Sequence, residues 1–311
     1  MIKYSIIIPH KNIPKLLQRC LDSIPQRDDI QIIVVDDNSN GDVVDFTHFP
    51  GLNNPKTEVY FDKSSKGAGR ARNIGIEHAK GKWVLFADCD DYFHTENLEE
   101  LFSIQLPDDC NMVVWGIEHL YFDGSTWTDF VDELQPFRKL SNTSLILNRF
   151  APWRKMIRRS FINEKNLHFE EIPASNDVMF HTYLMGCLDP ESIMWFPKII
   201  YTWQQRQESI THSRSLIKAE SRFQASLRSN SYAISKNWGM IDSTNLYFEE
   251  IKKISNFHFY LAFYKEWYYL GLAQACADYD CICHKHRDFL LLYSNPFIIF
   301  HKMVRRFMKI V

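Results

Sequence analysis

Four short apolar runs, each closed by a polar cluster, constrain the first 91 residues of this chain more than any other feature. Residues 4–8 form an apolar, β-rich run ending at Pro9, and Ile30 to Val35 run into Asp36-Asp37-Asn38-Ser39. Thr57 to Phe61 lead into Lys66-Gly67-Ala68-Gly69-Arg70, and Lys82 to Ala87 end in Asp88-Cys89-Asp90-Asp91. Helical spacing separates the runs: Leu16, Leu17, Cys20, Leu21 and Ile24 after the first, then Ile74, Ile76 and Ala79 after the third. Continuous apolar strands alternating with helices predict an α/β domain with a mainly parallel sheet. Ligands of such sheets bind beyond the carboxyl ends of the strands, so Asp37, Arg72 and Asp90 are expected to converge.

The chain beyond residue 105 is less regular. Val113 to Trp115, Ile117 to Phe122 and Ile193 to Trp203 read as strands, Ser160 to Ile162 and Val178 to Met185 as helix. After about 215 the pattern is helical and aromatic, as in Phe257 to Ala277. The expected division is a domain over 1–215, with halves 1–105 and 106–215, and a helical region over 216–311. The length of 311 residues suits such a layout.

Composition removes several function classes. A net charge of −2 disfavours nucleic-acid binding through a broad basic surface. The seven cysteines are odd in number and form no Cys-x-x-Cys pair, which disfavours zinc and a disulfide framework and predicts free thiols. The N-terminal apolar run is too short for a signal peptide, and no stretch reaches the roughly 18 apolar residues of a membrane span. A cytoplasmic location is expected.

Carboxylates crowded at one strand end repel, and a hard divalent cation relieves that repulsion. Mg²⁺ is commonly held by one or two carboxylates together with substrate phosphates. Asp88, Asp90 and Asp91 fit that chemistry, and equally fit a solvated acidic turn or a helix cap at Asp91. Asp36 to Ser39 could offer a base or ribose contact, but taken alone they fit an Asx-turn better. Gly67-x-Gly69 is no dinucleotide fingerprint, because the next glycine is Gly75. Lys66, Arg70 and Arg72 on that segment suit a diphosphate.

Taken together and in order, these segments identify a resemblance. Ser5 to Pro9, Val34 to Ser39, Gly69-Arg70-Ala71-Arg72-Asn73-Ile74-Gly75 and Gly81 to Asp91 resemble family 2 glycosyltransferases. Pro152-Trp153-Arg154-Lys155-Met156 looks like the family's Trp-x-Lys segment, and Asn176-Asp177 lies where the family commonly has Glu-Asp. Tyr201 to Trp203 through Ser209 to His212 is similar to the family's late Tyr-rich segment. The resemblance implies a GT-A fold and an inverting transfer from a UDP-sugar to a hydroxyl of a glycan or lipid-linked saccharide, in cell-surface polysaccharide synthesis. By the same resemblance, Pro9, Asp37, Lys66, Arg72 and Asp88 would bind the nucleotide-sugar. Asp90, with His212 as a further candidate, would bind Mn²⁺ or Mg²⁺, and Asp177 would be the catalytic base. Lys11 stands where some members carry a base-stacking aromatic, and Asn176 replaces an acidic residue beside the base.

Competing functions are a metal-dependent nucleotidyltransferase and a non-catalytic carbohydrate-binding relative. The tail 297–311 places Lys302, Arg305, Arg306 and Lys309 on one side of a helix and Phe300, Met303, Val304 and Phe307 broadly opposite. That pattern suits peripheral binding to an anionic membrane, and also a helix docked on its own domain.

Overall fold

In the computed structural model, residues 1–129, 151–206, 215–236 and 238 are described. The central strand β1 (Tyr4–His10) is buried along its whole length, with Ile6, Ile7 and Ile8 fully enclosed. Its neighbours are β2 (Ile30–Asp37) and β4 (Trp83–Phe86), both parallel, with Ile6 opposite Ile32 and Leu85. β3 (Thr57–Asp62) runs parallel to β2 at the edge. The connections carry helices α1 (Pro14–Asp22) and α2 (Ala68–His78), as parallel crossovers require.

Pro9 does not end β1 as the sequence suggested; it pairs in register with Val35, and the strand continues to His10. The reason is local. β4 pairs with β1 only as far as Ile7, so the missing N–H of Pro9 falls beyond that ladder.

The second half of the sheet is mixed. β8 (Lys155–Arg158) lies antiparallel between β4 and β6 (Met112–Leu120). β7 (Thr126–Asp129) pairs antiparallel with β6, and β9 (Ile193–Gln204) pairs parallel with it. β5 (Tyr92–Phe93) closes the order β3-β2-β1-β4-β8-β6-β9-β5. The two strands expected at 113–115 and 117–122 are one strand, interrupted by register shifts between Trp115 and Ile117. Helices α3 (Thr95–Ser103), α4 (Arg159–Glu164) and α5 (Val178–Cys187) complete this part. A further helix, α6, spans Leu216–Ser235.

The chain divides into two units, 1–225 and 226–311. Phe257 to Ala277, the tail 297–311 and His212 lie outside the described residues. Among the described residues, no helix is long and apolar enough to cross a membrane. Cys20, Cys89, Cys110 and Cys187 are free thiols.

Two glycines let α2 start where it does. Gly67, at φ +85°, makes the turn into the helix. At Gly69 an added Cβ would sit 2.0 Å from the backbone oxygen of Glu170. Alanine in a helix normally stabilises by about 0.8–1 kcal/mol relative to glycine. Gly69→Ala is expected to do the reverse and cost about 1–3 kcal/mol through overpacking against backbone. Urea unfolding of the purified variant checks the sign.

Candidate active site

The three aspartates that follow β4 part company within four residues. Asp91 turns inward and is 1% exposed. Its carboxylate accepts hydrogen bonds from the Tyr201 hydroxyl at 2.9 Å and the Gln204 backbone N–H at 2.8 Å. The Tyr201 hydroxyl accepts in turn from the Asp88 N–H at 2.8 Å, and its ring stacks on Trp153 at 5.0 Å. Asp91 therefore does not cap a helix: β5 follows it, and α3 begins only after His94. Burial, then the charges of Asp88 and Asp90, push the Asp91 carboxyl well above the ordinary range.

Asp90 points to the other side. Its Oδ2 accepts from Arg206 Nε at 2.6 Å, and its backbone oxygen accepts from Arg19, which also bonds Gln204. Burial and the neighbouring Asp88 raise the Asp90 carboxyl, and Arg206 opposes them. Asp88 Oδ1 accepts from Arg72 Nη2 at 2.6 Å.

Arg72 ties this strand end to the loop before α5. It is 5% exposed, lies over the Phe169 ring at 5.3 Å, and donates through Nη1 to Asn176 Oδ1 at 2.8 Å. Its Nε is buried without a hydrogen-bond partner. Asn73 fixes the same loop by a reciprocal pair of bonds with the backbone of Phe169, at 2.8 and 2.9 Å. The next residue, Asp177, occupies the N-cap position of α5, where an aspartate side chain usually satisfies a free helix N–H. Here the side chain makes no cap hydrogen bond. Burial raises its carboxyl above the ordinary value; Arg72 and Lys155 pull it down, and Asp88 pushes it up.

At the end of β2 the two aspartates divide the work. Asp36 is fully buried and holds His10 Nδ1 at 2.8 Å together with the N–H of Ser39 at 2.9 Å, the local turn that its sequence allows. Asp37 accepts from Lys11 Nζ and from the Gly67 N–H, both at 3.0 Å, and so anchors the start of α2. Lys66 pairs with Glu171 at 2.8 Å on the surface. Pro9 lies buried beside this end, in register with Val35. Arg72 and Asp88 thus pair directly, and Asp90 feels the charge of Asp88. Asp37 joins them through α2, and Asp177 faces them across Asn176. Arg19 and Gln204 are parts of this site that the sequence did not reveal, because their partners lie far along the chain.

The donor set suits a divalent cation in one form only. Among the described residues there is no group of three or more His, Cys, Asp or Glu side chains able to hold a metal ion. Asp88 and Asp90 each commit one oxygen to an arginine and retain another. Such a pair can hold Mg²⁺ or Mn²⁺ when phosphate oxygens complete the shell, and it is no closed protein cage.

The sequence pattern of glycosyl transferase family 2 matches residues 5–165, more than half of the chain and all of the strands from β1 to β8. The chain belongs to glycosyl transferase family 2. Among curated proteins, this family 2 chain is 26% identical over 186 residues to the poly(ribitol-phosphate) beta-N-acetylglucosaminyltransferase TarS of Staphylococcus aureus, covering 58% of this chain and 32% of TarS. It is 28% identical over 190 residues to the poly(ribitol-phosphate) beta-glucosyltransferase of Bacillus spizizenii, covering 58% and 29%. The chain thus spans about a third of the length of these relatives. The glycosyltransferase GlyG of Streptococcus pneumoniae is 26% identical over 223 residues, with 72% of its length covered. Among solved structures, residues 1–349 of S. aureus TarS in complex with UDP-GlcNAc superpose with a TM-score of 0.58 at 18% identity, covering 83% of this chain and 73% of that one. The mannosyltransferase PcManGT of Pyrobaculum calidifontis in complex with GDP-Man and Mn²⁺ gives 0.53 at 14%, covering 99% and 83%. These likenesses establish the GT-A fold.

The buried Asp91 yields a pH-dependent expectation. A carboxyl whose pKa is raised on folding contributes stability that is present below its unfolded value, near 4, and lost as pH rises through its folded value. Asparagine can keep the bond from Gln204 without the charge. In chelator, Asp91→Asn is expected to be more stable than the native chain at pH 7–8. The advantage should shrink by up to about 1.4 kcal/mol per pH unit on acidification toward pH 4. Urea melts at several pH values measure it.

Proposed function

We propose that this family 2 chain transfers a sugar, with inversion, from a UDP-sugar to a hydroxyl of a glycan or lipid-linked saccharide, with Asp177 as the base. The observation that carries the proposal is the Asp177 carboxyl. It heads a helix without capping it, next to an arginine that also holds the first aspartate of the acidic strand end. A carboxylate kept from its usual local bond is available to a substrate. In the reaction Asp177 accepts the proton of the acceptor hydroxyl, the oxygen bonds to the anomeric carbon, and the bond from that carbon to the diphosphate breaks on the opposite face. UDP departs with the electron pair.

Arg72 and Asp88, which pair with one another, would hold the sugar and ribose side of the donor, with Lys66 as a further contact. Asp37 and the backbone near Pro9 would meet the nucleoside. Although Asp37 already accepts two hydrogen bonds, a carboxylate has about four acceptor positions. Asp90 would hold Mn²⁺ or Mg²⁺, and His212 is a second candidate ligand. The bound cation supplies neutralisation of the charge on the leaving diphosphate. The UDP-GlcNAc complex of TarS supports a UDP-sugar donor, and the Mn²⁺ in the GDP-Man complex of PcManGT supports a divalent cation. Relatives named for poly(ribitol-phosphate) favour a polymeric, hydroxyl-rich acceptor. We further read 1–215 as the transferase domain, and the basic tail 297–311 as the element that would bring it to an anionic membrane.

The test is product analysis with native and Asp177→Asn protein. The native chain should release UDP and transfer sugar; release of pyrophosphate would mark nucleotidyl transfer instead. Asp177→Asn should lower kcat about 10²–10⁴-fold while UDP-sugar binding persists. Near-normal turnover in that variant would remove Asp177 from the chemistry.

A further inference from the structure

Lys155 is a lysine in the wrong place for an ordinary one. It opens β8, directly after the turn Pro152–Arg154, and is 3% exposed. Its Nζ donates to the Ala151 carbonyl oxygen at 3.0 Å and lies 2.9 Å from His181 Nδ1. Both partners are uncharged when they accept from an ammonium. A buried cation needs an anion nearby or it gives up its proton. Arg154, next in the chain, adds charge of the same sign and is itself paired with Asp129 at 2.7 Å. Burial and Arg154 push Lys155 down to about 7, and the anion that opposes them is Asp177.

The elements bring Lys155 and Asp177 together through one helix. His181 follows Asp177 by one turn of α5, and its N–H bonds the Asp177 backbone oxygen at 2.9 Å. Residues four apart share a helix face, so a group held by His181 lies on the Asp177 side. The other charges acting on Asp177 are Arg72 and Asp88. Arg72 is divided between Asp88 and Asn176, whereas Lys155 makes no contact ion pair with a carboxylate among the described residues.

We propose that Lys155 is a positioning residue: its ammonium, seated on Ala151 and His181, is the counter-charge that keeps the Asp177 carboxyl ionised. The catalytic meaning rests on Asp177 being the base; the electrostatic pairing does not. Without this cation Asp177 would hold its proton to higher pH.

The experiment is a ¹³C carboxyl NMR titration of the full chain, with the Asp177 signal assigned by its loss in Asp177→Asn. In Lys155→Met and in Lys155→Gln the Asp177 midpoint should rise by about 1 pH unit or more. In Lys155→Arg, which keeps the charge, it should stay near the native value. The acidic limb of kcat/KM should move upward with it, with activity recovering at higher pH; a merely structural role would lower activity equally at every pH. Should neither neutral variant fold, ¹⁵N titration of Lys155 Nζ in Asp177→Asn reads the same coupling from the other side, as a fall of similar size. An unmoved Asp177 midpoint in a folded neutral variant, or an unmoved Lys155 midpoint in Asp177→Asn, overturns the proposal. Near-normal kcat in Asp177→Asn alongside coupled midpoints overturns the base assignment alone.

Discussion

Mutual repulsion among four carboxylates organises this site. Asp88 acts on Asp90, Asp91 and Asp177, and of the four only Asp91 is fully buried. Each is managed by a different element. Asp88 is met by Arg72 from α2, Asp90 by Arg206 from beyond β9, and Asp91 by the Tyr201 hydroxyl and Gln204 N–H of β9. Asp177 has Arg72 and Lys155 within reach. The groups that offset this repulsion come from α2, β8, β9 and the segment beyond β9. Neutral hydrogen bonds suffice only for the innermost carboxylate, whose pKa rises accordingly.

The sheet divides the labour that follows. Its parallel half supplies strand ends, and with them the clustered carboxylates and the N-terminus of α2. Its mixed half supplies the struts: Tyr201 bridges Asp88 and Asp91 from over a hundred residues away, and Trp153 stacks behind it. One consequence is that a residue pair which is adjacent in sequence can serve opposite ends. Asp36 stabilises its own turn through Ser39 and His10, while Asp37 holds Gly67 and with it the helix that presents Arg72.

The legible part of this architecture was the part written in local patterns. β1 to β4 and their two helices follow from apolar runs and helical spacing, and the family from the order of four short motifs. Strand-end logic also placed Arg72 at the acidic strand end after β4, where it pairs with Asp88. What was hidden depends on contacts that have no local signature. Asp91 reads as a helix cap until Tyr201 and Gln204 are seen to take both its oxygens. Lys155 reads as the lysine of a Trp-x-Lys segment until the strand buries it. β5 and β7 are too short for periodicity to show, and Pro9 is tolerated in β1 only because β4 stops pairing at Ile7.

We propose that the acidic strand end after β4 binds a nucleoside diphosphate through a cation held at Asp90. Isothermal titration of UDP into the native chain and into Asp90→Asn, each with Mn²⁺ and with chelator, tests it most directly. The account predicts UDP binding that Mn²⁺ tightens at least about tenfold in the native chain, worth about 1.4 kcal/mol, and an Asp90→Asn variant in which Mn²⁺ makes no difference. Equal affinity with and without the metal in the native chain, or an undiminished metal effect in the variant, would contradict it.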